Sequence, residues 1–376
     1  MRGNIVIAGI GQTAWGKLPG RSTVSLNIEA SRNALQDAGI GKDMVDALMV
    51  KPPTSNPQFM YGQILAEAMG LQPRVGGAWD QAGAANVSLI AFAAMAIEHG
   101  QCEVALITYA DNPRTGSRHA YEKAWGDDAA YGWFGVPAGY AMLARRHMEE
   151  FGTTSDQLGE IAVAVRKHGA ANPRAQLRKP LTLEQYRESP WVVDPLRRDD
   201  CCLVSDGAAA VVVMSGERAK SLGVKKPVPI LGFGQGQSSW DIALREDLTR
   251  TGAEISGATA FGMAGLRAQD IDVAQIYDCF TITALMTLEA YGFAPHGQGG
   301  AFCANGALQI GGALPMNTAG GMLAETGMPG MQLVLEAVRQ MRGDANLQVP
   351  DAQNCIVSNQ GGIMHTHSTL ILGHHL

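Results

Sequence analysis

Charge, aromatic side chains and long apolar runs are all scarce in this sequence. Only 17% of its 376 residues are Asp, Glu, Lys or Arg, and 6% are Phe, Trp or Tyr. So little charge beside 46% apolar residues excludes a disordered or fibrous chain. No apolar stretch reaches the roughly 20 residues that a membrane-spanning helix needs, so no span is expected. Positive charge is the minority sign, at 29 Lys and Arg against 35 Asp and Glu, for a net charge of −6 and a pI near 5.9. A nucleic-acid or anionic-membrane partner, which needs a positive field, is therefore not expected. The six cysteines, among them the adjacent Cys201 and Cys202, have neither metal-ligand spacing nor a disulfide framework. They read as reduced, buried thiols. The opening MRGNIVIAGIG enters a strand at once and leaves no room for a signal peptide, so a cytoplasmic location is expected.

The length fits two domains of ordinary size, and strand and helix signals alternate along both halves. A strand over residues 4–10 leads to a helix over 24–38, then a strand over 43–50, a helix over 60–69, an alanine-rich helix over 84–99 and a buried strand over 103–109. The early GIGQTAWG lacks the third glycine and the following acidic residue of a dinucleotide fingerprint. From about 112 to 198 the composition shifts to mixed aromatic and charged residues with several prolines, reading as two amphipathic helices near 139–151 and 155–172 followed by an extended tail. The buried sheet resumes over 206–214. Ala38-Gly39-Ile40…Asp46 returns as Ala264-Gly265-Leu266…Asp272 at a constant offset of 226 residues, a sign of internal duplication. The alternation favours α/β units with mostly parallel strands.

Chemistry concentrates near three stretches. The first is Leu314–Gly330, LPMNTAGGMLAETGMPG, which runs directly into the helical MQLVLEAVRQMRG. A paired-glycine turn opening into a helix places backbone N–H groups and the positive helix end beside the loop, a setting for an oxyanion or a polar acyl group. Gly320 and Gly321 form that turn, Asn317 could orient a carbonyl or simply shape the turn, and Glu325 is the carboxylate placed to act as a base. The second is Tyr277-Asp278-Cys279-Phe280, where the Tyr277 phenol can donate to a developing enolate and exchange protons. The third pairs Gly361 and Gly362 with His365 and His367, whose i, i+2 spacing on a strand would turn both to one face. These imidazoles are proton carriers near neutral pH. An HxH pair without a third ligand does not make a metal site. An aromatic cluster of Tyr121, Trp125, Tyr131, Trp133, Phe134 and Tyr140 would suit a bulky apolar group or core packing equally.

LPxNTxGGxL…G…EAVRQxRG, with AGIGQTAWG (8–16), CCLVSDGAAAVVV (201–213), IYDCFTITALMTLEAYGF (276–293) and SNQGG…HSTLILG (358–373), resembles thiolases of the sterol-carrier-protein, or lipid-transfer-protein, type over essentially the whole chain. The resemblance implies an α/β thiolase fold, two similar βαβαβαββ halves in a five-layered α-β-α-β-α arrangement. It implies an N-terminal half over 1–111 and 199–222, an inserted loop domain over 112–198 that covers the site, and a C-terminal half over 223–376.

The family's catalytic groups are replaced here. Where a thiolase cysteine opens the buried helix, Trp79–Ser88 has only Gly83, Ala84 and Ala85. Gly327 occupies the position of the activating histidine, Tyr277 that of the Asn or His in the Asn/His-x-x-Phe motif, and the second catalytic cysteine is absent before Gly361. Loss of nucleophile and activator together points to changed chemistry: an aldol or retro-aldol step beside a CoA thioester, with no acyl-cysteine. Tyr277, His365 and His367 are the catalytic candidates, and Asn317, Gly320, Gly321, Gly361 and Gly362 the substrate or CoA contacts. The resemblance implies a coenzyme A thioester as substrate, no bound cofactor or metal, a homodimer, and a small OB-fold and zinc-ribbon acyl-CoA-binding partner. Two other readings stand beside it: a thiolase or acetyl-CoA acyltransferase with relocated groups, and a non-catalytic thiolase-fold subunit.

Overall fold

Apolar strands and glycine-ended helices alternate through both halves of the chain. The computed structural model describes residues 3–118, 126–133, 135–328 and 330–376. It begins with β1 (Ile5–Gln12), α1 (Thr23–Ala38), β2 (Ala47–Lys51), α2 (Tyr61–Met69), β3 (Val75–Ala78), α3 (Ala85–Glu98) and β4 (Val104–Asp111). The segment after β4 holds α4 (Val136–Phe151) and α5 (Ser155–Ala171). The stretch expected as an extended tail instead forms a short helix, Leu183–Glu188, whose Thr182 and Gln185 close a capping box. It then forms the small hairpin β5 (Trp191–Val193) and β6 (Leu196–Arg197). β7 (Gly207–Ser215) completes the first half. The second half comprises β8 (Val228–Gln237), α6 (Ala253–Ala264), β9 (Val273–Gln275), α7 (Thr281–Ala290), α8 (Met331–Arg342), β10 (Asn354–Gly361) and β11 (Thr366–Gly373).

The strands order as β3-β2-β4-β7-β1-β8-β11-β10-β9. Between β1 and β8 only Val6 with Pro229 and Ile7 with Val228 are in register, so the array is two sheets joined at a narrow seam. Among the ladders of the described strands, the parallel ones are β2 with β3, β2 with β4, and β9 with β10. The other ladders are antiparallel, because each half ends on a strand that folds back beside its predecessor, β7 on β4 and β11 on β10. This corrects the mostly parallel sheet expected from the alternation.

α3 and α8 pack against strands of both sheets and against each other, α1 and α2 cover the outer face of the first sheet, and α6 covers that of the second. This is the five-layered α-β-α-β-α arrangement. A helix between two sheets must be apolar all round, and α3, ANVSLIAFAAMAIE, is buried along nearly its whole length.

The duplication is structural as well as sequential. α1 and α6 both end on a left-handed glycine, Gly39 at φ 71° and Gly265 at φ 63°, a conformation that costs glycine little. The Asp46 carboxylate accepts from the N–H groups of Glu103 and Val104 at the start of β4. Asp272 does the same for Gln353 and Asn354 at the start of β10. The third strand of the second half has shrunk to a parallel bridge between Ala274 and Met316. Among the described residues no helix is long and apolar enough to cross a membrane.

Candidate active site

The loop before α3 is where a nucleophile would enter the central layer, and it is pinned to the β10–β11 hairpin. Thr366 Oγ1 donates to the Gln81 carbonyl at 3.3 Å and Ser368 Oγ to that of Ala84 at 2.7 Å. A Cβ built on Gly83 would lie 2.2 Å from the Tyr277 hydroxyl and 2.3 Å from the Gln360 carbonyl oxygen. The phenol thus fills the space that a side chain at residue 83 would need. Tyr277 is 6% exposed and anchored through its N–H, which donates to Ser358 Oγ at 3.1 Å.

None of the six cysteines is paired. Burial, the largest cause in every case, raises all six thiols above their ordinary range, Cys102 to about 11 and Cys279 to about 12. A nucleophilic cysteine needs the opposite shift. Cys279 Sγ also accepts from Gln360 Nε2 at 2.9 Å. Gly327, which the sequence resemblance sets at the family's histidine position, has no room for any side chain: a Cβ there would lie 1.7 Å from the Leu203 carbonyl oxygen. Its N–H donates to Ser205 Oγ at 3.0 Å.

In the Gly320-Gly321 loop Asn317 and Asp278 are already engaged, whereas Glu325 Oε2 and Thr326 Oγ1 have no partner. Asn317 is fully buried, with Oδ1 accepting from the Ile276 N–H at 2.7 Å and Nδ2 donating to the Ile276 carbonyl at 2.8 Å. Turn and strand geometry therefore account for its carboxamide. Gly320 and Gly321 hold φ 104° and 51°, and a Cβ on Gly321 would meet the Asp278 carboxylate at 2.4 Å. Asp278 accepts from the N–H groups of Met322 and Leu323, and burial raises its pKa to about 6. Glu325 lies 1% exposed in this loop. Burial raises its pKa to about 8, opposed by Arg339, and Oε1 accepts from Asn172 Nδ2 at 3.4 Å.

The Gly361–His367 turn is built differently. A Cβ on Gly361 would lie 2.1 Å from the Gln81 carbonyl oxygen, and one on Gly362, at φ 64°, would lie 2.1 Å from His365 Nδ1. Because Thr366 and Ser368 point to the loop before α3, the strand alternation turns His367 to the opposite face, whereas His365 lies in the turn that precedes β11. Arg245 lies close enough to act on both imidazoles, and His367 pairs across the hairpin with Gln360. Gln360 links the two faces: its carbonyl lies at Gly83, while its Nε2 donates to Tyr140 Oη at 2.8 Å.

His365 Nδ1 accepts from the Ile363 N–H at 2.8 Å, its ring stacks on Trp240 at 4.8 Å, and Nε2 has no partner. His367 is 2% exposed with neither ring nitrogen partnered. Burial first, then Arg245, push His365 down to about 4 and His367 to about 3. Sequence reasoning missed Arg245 and Trp240, which lie in a loop after β8 that carries no motif. Of the aromatic cluster, Tyr140 is buried and stacks on Phe280 at 4.4 Å, Trp133 lies beside Gly139 and Ile363, and Tyr131 is exposed. Tyr121, Trp125 and Phe134 lie outside the described residues. Among the described residues no group of three or more His, Cys, Asp or Glu side chains could hold a metal ion.

The chain is similar to known proteins over nearly its whole length. Residues 234–374 match the thiolase C-terminal domain-like family. The chain is 39% identical to a steroid side-chain-cleaving aldolase of Thermomonospora curvata, over 99% of this chain and 98% of that one. It is 34% identical to a 17-hydroxy-3-oxo-4-pregnene-20-carboxyl-CoA lyase of Mycobacterium tuberculosis, over 99% and 100% of the two. A solved Ltp2-ChsH2(DUF35) aldolase superposes with a TM-score of 0.89 at 36% identity, over 99% of this chain and 98% of that one. With full-length relatives named as an aldolase and a lyase and a solved aldolase of the same fold, this chain belongs to the thiolase superfamily, in its sterol-carrier-protein-type, aldolase-like branch.

Proposed function

We propose that the protein catalyses an aldol or retro-aldol step on a CoA thioester without an acyl-enzyme. The observation that carries this reading is the Tyr277 hydroxyl in the side-chain space of Gly83, in a protein whose thiols are all shifted away from reactivity. In the retro-aldol direction a base takes the β-hydroxyl proton, the O–H electron pair forms the carbonyl, and the Cα–Cβ pair moves to Cα as the thioester enolate. The Tyr277 phenol donates to the enolate oxygen as charge develops there. His365 and His367 are the imidazoles available to carry the proton from the hydroxyl and return it to Cα. The names of the aldolase and lyase relatives support this reaction class and, for the acyl group, a steroid side chain.

The same reading includes two partners. A small acyl-CoA-binding OB-fold and zinc-ribbon protein is supported by the solved Ltp2-ChsH2(DUF35) aldolase, in which Ltp2 is paired with a DUF35 protein. A homodimer is supported by β3, which ends the sheet order, and by exposed Phe59, Met60, Ile64 and Trp79 around it, since an open apolar edge invites pairing. Residues 1–111 with 199–222, and 223–376, would be the two halves, and 112–198 the covering segment. Six unpaired cysteines support a reducing, cytoplasmic setting.

The test is incubation of the protein, alone and with its partner, with β-hydroxyacyl-CoA esters of steroid, aromatic and short-chain type. Release of a ketone or aldehyde with the shortened acyl-CoA supports the reading. No release from any class, with or without the partner, contradicts it.

A further inference from the structure

Behind the tip of the β10–β11 hairpin, three nitrogen-bearing side chains converge and leave donors without acceptors. Arg245 donates from Nη2 to the Ile363 carbonyl, while its buried Nε and Nη1 have no hydrogen-bond partner. His365 Nδ1 accepts the Ile363 N–H at 2.8 Å, so in the neutral ring the proton sits on Nε2, which is also unpartnered. His367 adds a buried ring with both nitrogens free. Trp240, 79% exposed, lies flat against His365 as a roof.

The ionisable groups that act on this cluster are Arg245 itself, Tyr140 and Asp241. The Asp241 carboxylate, on an exposed turn, accepts from the Ala243 N–H at 2.9 Å. Among the described residues no ion pair engages Arg245. A buried donor left unsatisfied costs about 1–3 kcal/mol, more when charged. A native fold that leaves several together is explained by a ligand that satisfies them.

We propose that Arg245, with the Nε2–H of His365 and the imidazole of His367 beside it, forms a subsite for an anionic oxygen group of the ligand, either a carboxylate on the acyl portion or a phosphate of coenzyme A. The naming of the ligand rests on the acyl-CoA reading above, whereas the anion site rests on the side chains alone. An anion on Arg245 offsets the positive charge that, after burial, holds both imidazoles neutral. Binding therefore raises their basicity, and the substrate itself readies the proton carriers.

Succinyl-CoA and butyryl-CoA differ in a terminal carboxylate, and calorimetric titration of both into the full chain, Arg245→Gln and Arg245→Lys tests the proposal. An acyl-carboxylate site gives a preference of about 10- to 100-fold for succinyl-CoA, the range of a charge-assisted hydrogen bond. Arg245→Gln then removes the preference with butyryl-CoA binding unchanged, and Arg245→Lys keeps part of it. A phosphate site instead gives equal weakening of both esters by Arg245→Gln and no effect on S-butyryl-pantetheine. Wild-type affinities retained in Arg245→Gln for both esters overturn the proposal. Absence of any CoA-ester binding to the wild type would sink the acyl-CoA reading instead. The histidine ring-proton NMR signals then report on the site directly: succinate or phosphate shifts His365 in the wild type and not in Arg245→Gln, and no shift with either overturns the anion site.

Discussion

In the loop that carries Gly320 and Gly321, Asn317 grips Ile276 through both ends of its carboxamide and Asp278 takes the N–H groups of Met322 and Leu323. In the turn that carries Gly361 and Gly362, by contrast, His365, His367 and Arg245 leave nitrogens without partners. Both stretches look alike on paper: paired glycines, flanking polar residues, an apolar element on each side. Asn317 and Asp278 brace the first loop, where Glu325 Oε2 and Thr326 Oγ1 are left unpartnered, and the second holds the larger polar capacity in reserve. Completed hydrogen bonding marks structural motifs, and incomplete hydrogen bonding in a buried place marks where a ligand is expected.

Four substitutions or conditions would break or sharpen that contrast. The largest effect is expected at Gly327, where restoring the family histidine drives a side chain into the Leu203 carbonyl. Gly327→His should cost about 4 kcal/mol or more or fail to fold, as read by urea unfolding, and a stable variant would remove the steric account of the missing histidine. Next is Tyr277→Phe, which deletes the proposed enolate donor. It should lower kcat about 100- to 1,000-fold, the effect of removing one oxyanion donor, with unfolding free energy within about 1 kcal/mol of wild type. Unchanged turnover would take Tyr277 out of the site. Asn317→Ala should be the mirror image: about 1–3 kcal/mol of lost stability with kcat of the surviving folded protein unchanged.

The smallest effect per step is in pH. Both imidazoles have pKa values depressed on folding, to about 4 for His365 and about 3 for His367, from about 6.5 in the unfolded chain. Between those values the unfolded state binds more protons. Stability is therefore fully present above about pH 6.5 and falls as the pH drops toward 4, by on the order of 1.4 kcal/mol per unit for each ring. His367→Asn should flatten that slope in urea titrations at pH 4.5, 5.5 and 6.5, and an unchanged slope would show that His367 is not held neutral.

The order of elements is legible in the sequence because it is set locally. Gly39 and Gly265 end their helices, Asp46 and Asp272 brace the next strand, and the alanine-rich run over α3 declares a helix buried on all sides. Tyr277 is legible as a candidate from its motif, but its seat at Gly83 depends on the approach of two distant segments. The i, i+2 spacing of His365 and His367 assumes a strand, but His365 lies in the turn before β11, and the face of His367 is set by Thr366 and Ser368 reaching the loop before α3. Arg245 is silent in sequence because its meaning lies in a missing counter-charge, a property of packing. Asn317 misleads for the converse reason: a polar residue in a glycine turn reads the same whether its carboxamide faces a substrate or its own backbone.

The central claim is that Tyr277 has displaced acyl-thiol chemistry, and intact-mass spectrometry during turnover tests it most directly. The protein is mixed with a β-hydroxyacyl-CoA that it cleaves, and separately with acetyl-CoA and acetoacetyl-CoA, and quenched at intervals from milliseconds to minutes. The account predicts carbonyl product from the first ester and an unmodified protein mass at every time point. An acyl mass on any of the six cysteines that forms and decays at the rate of turnover would contradict it.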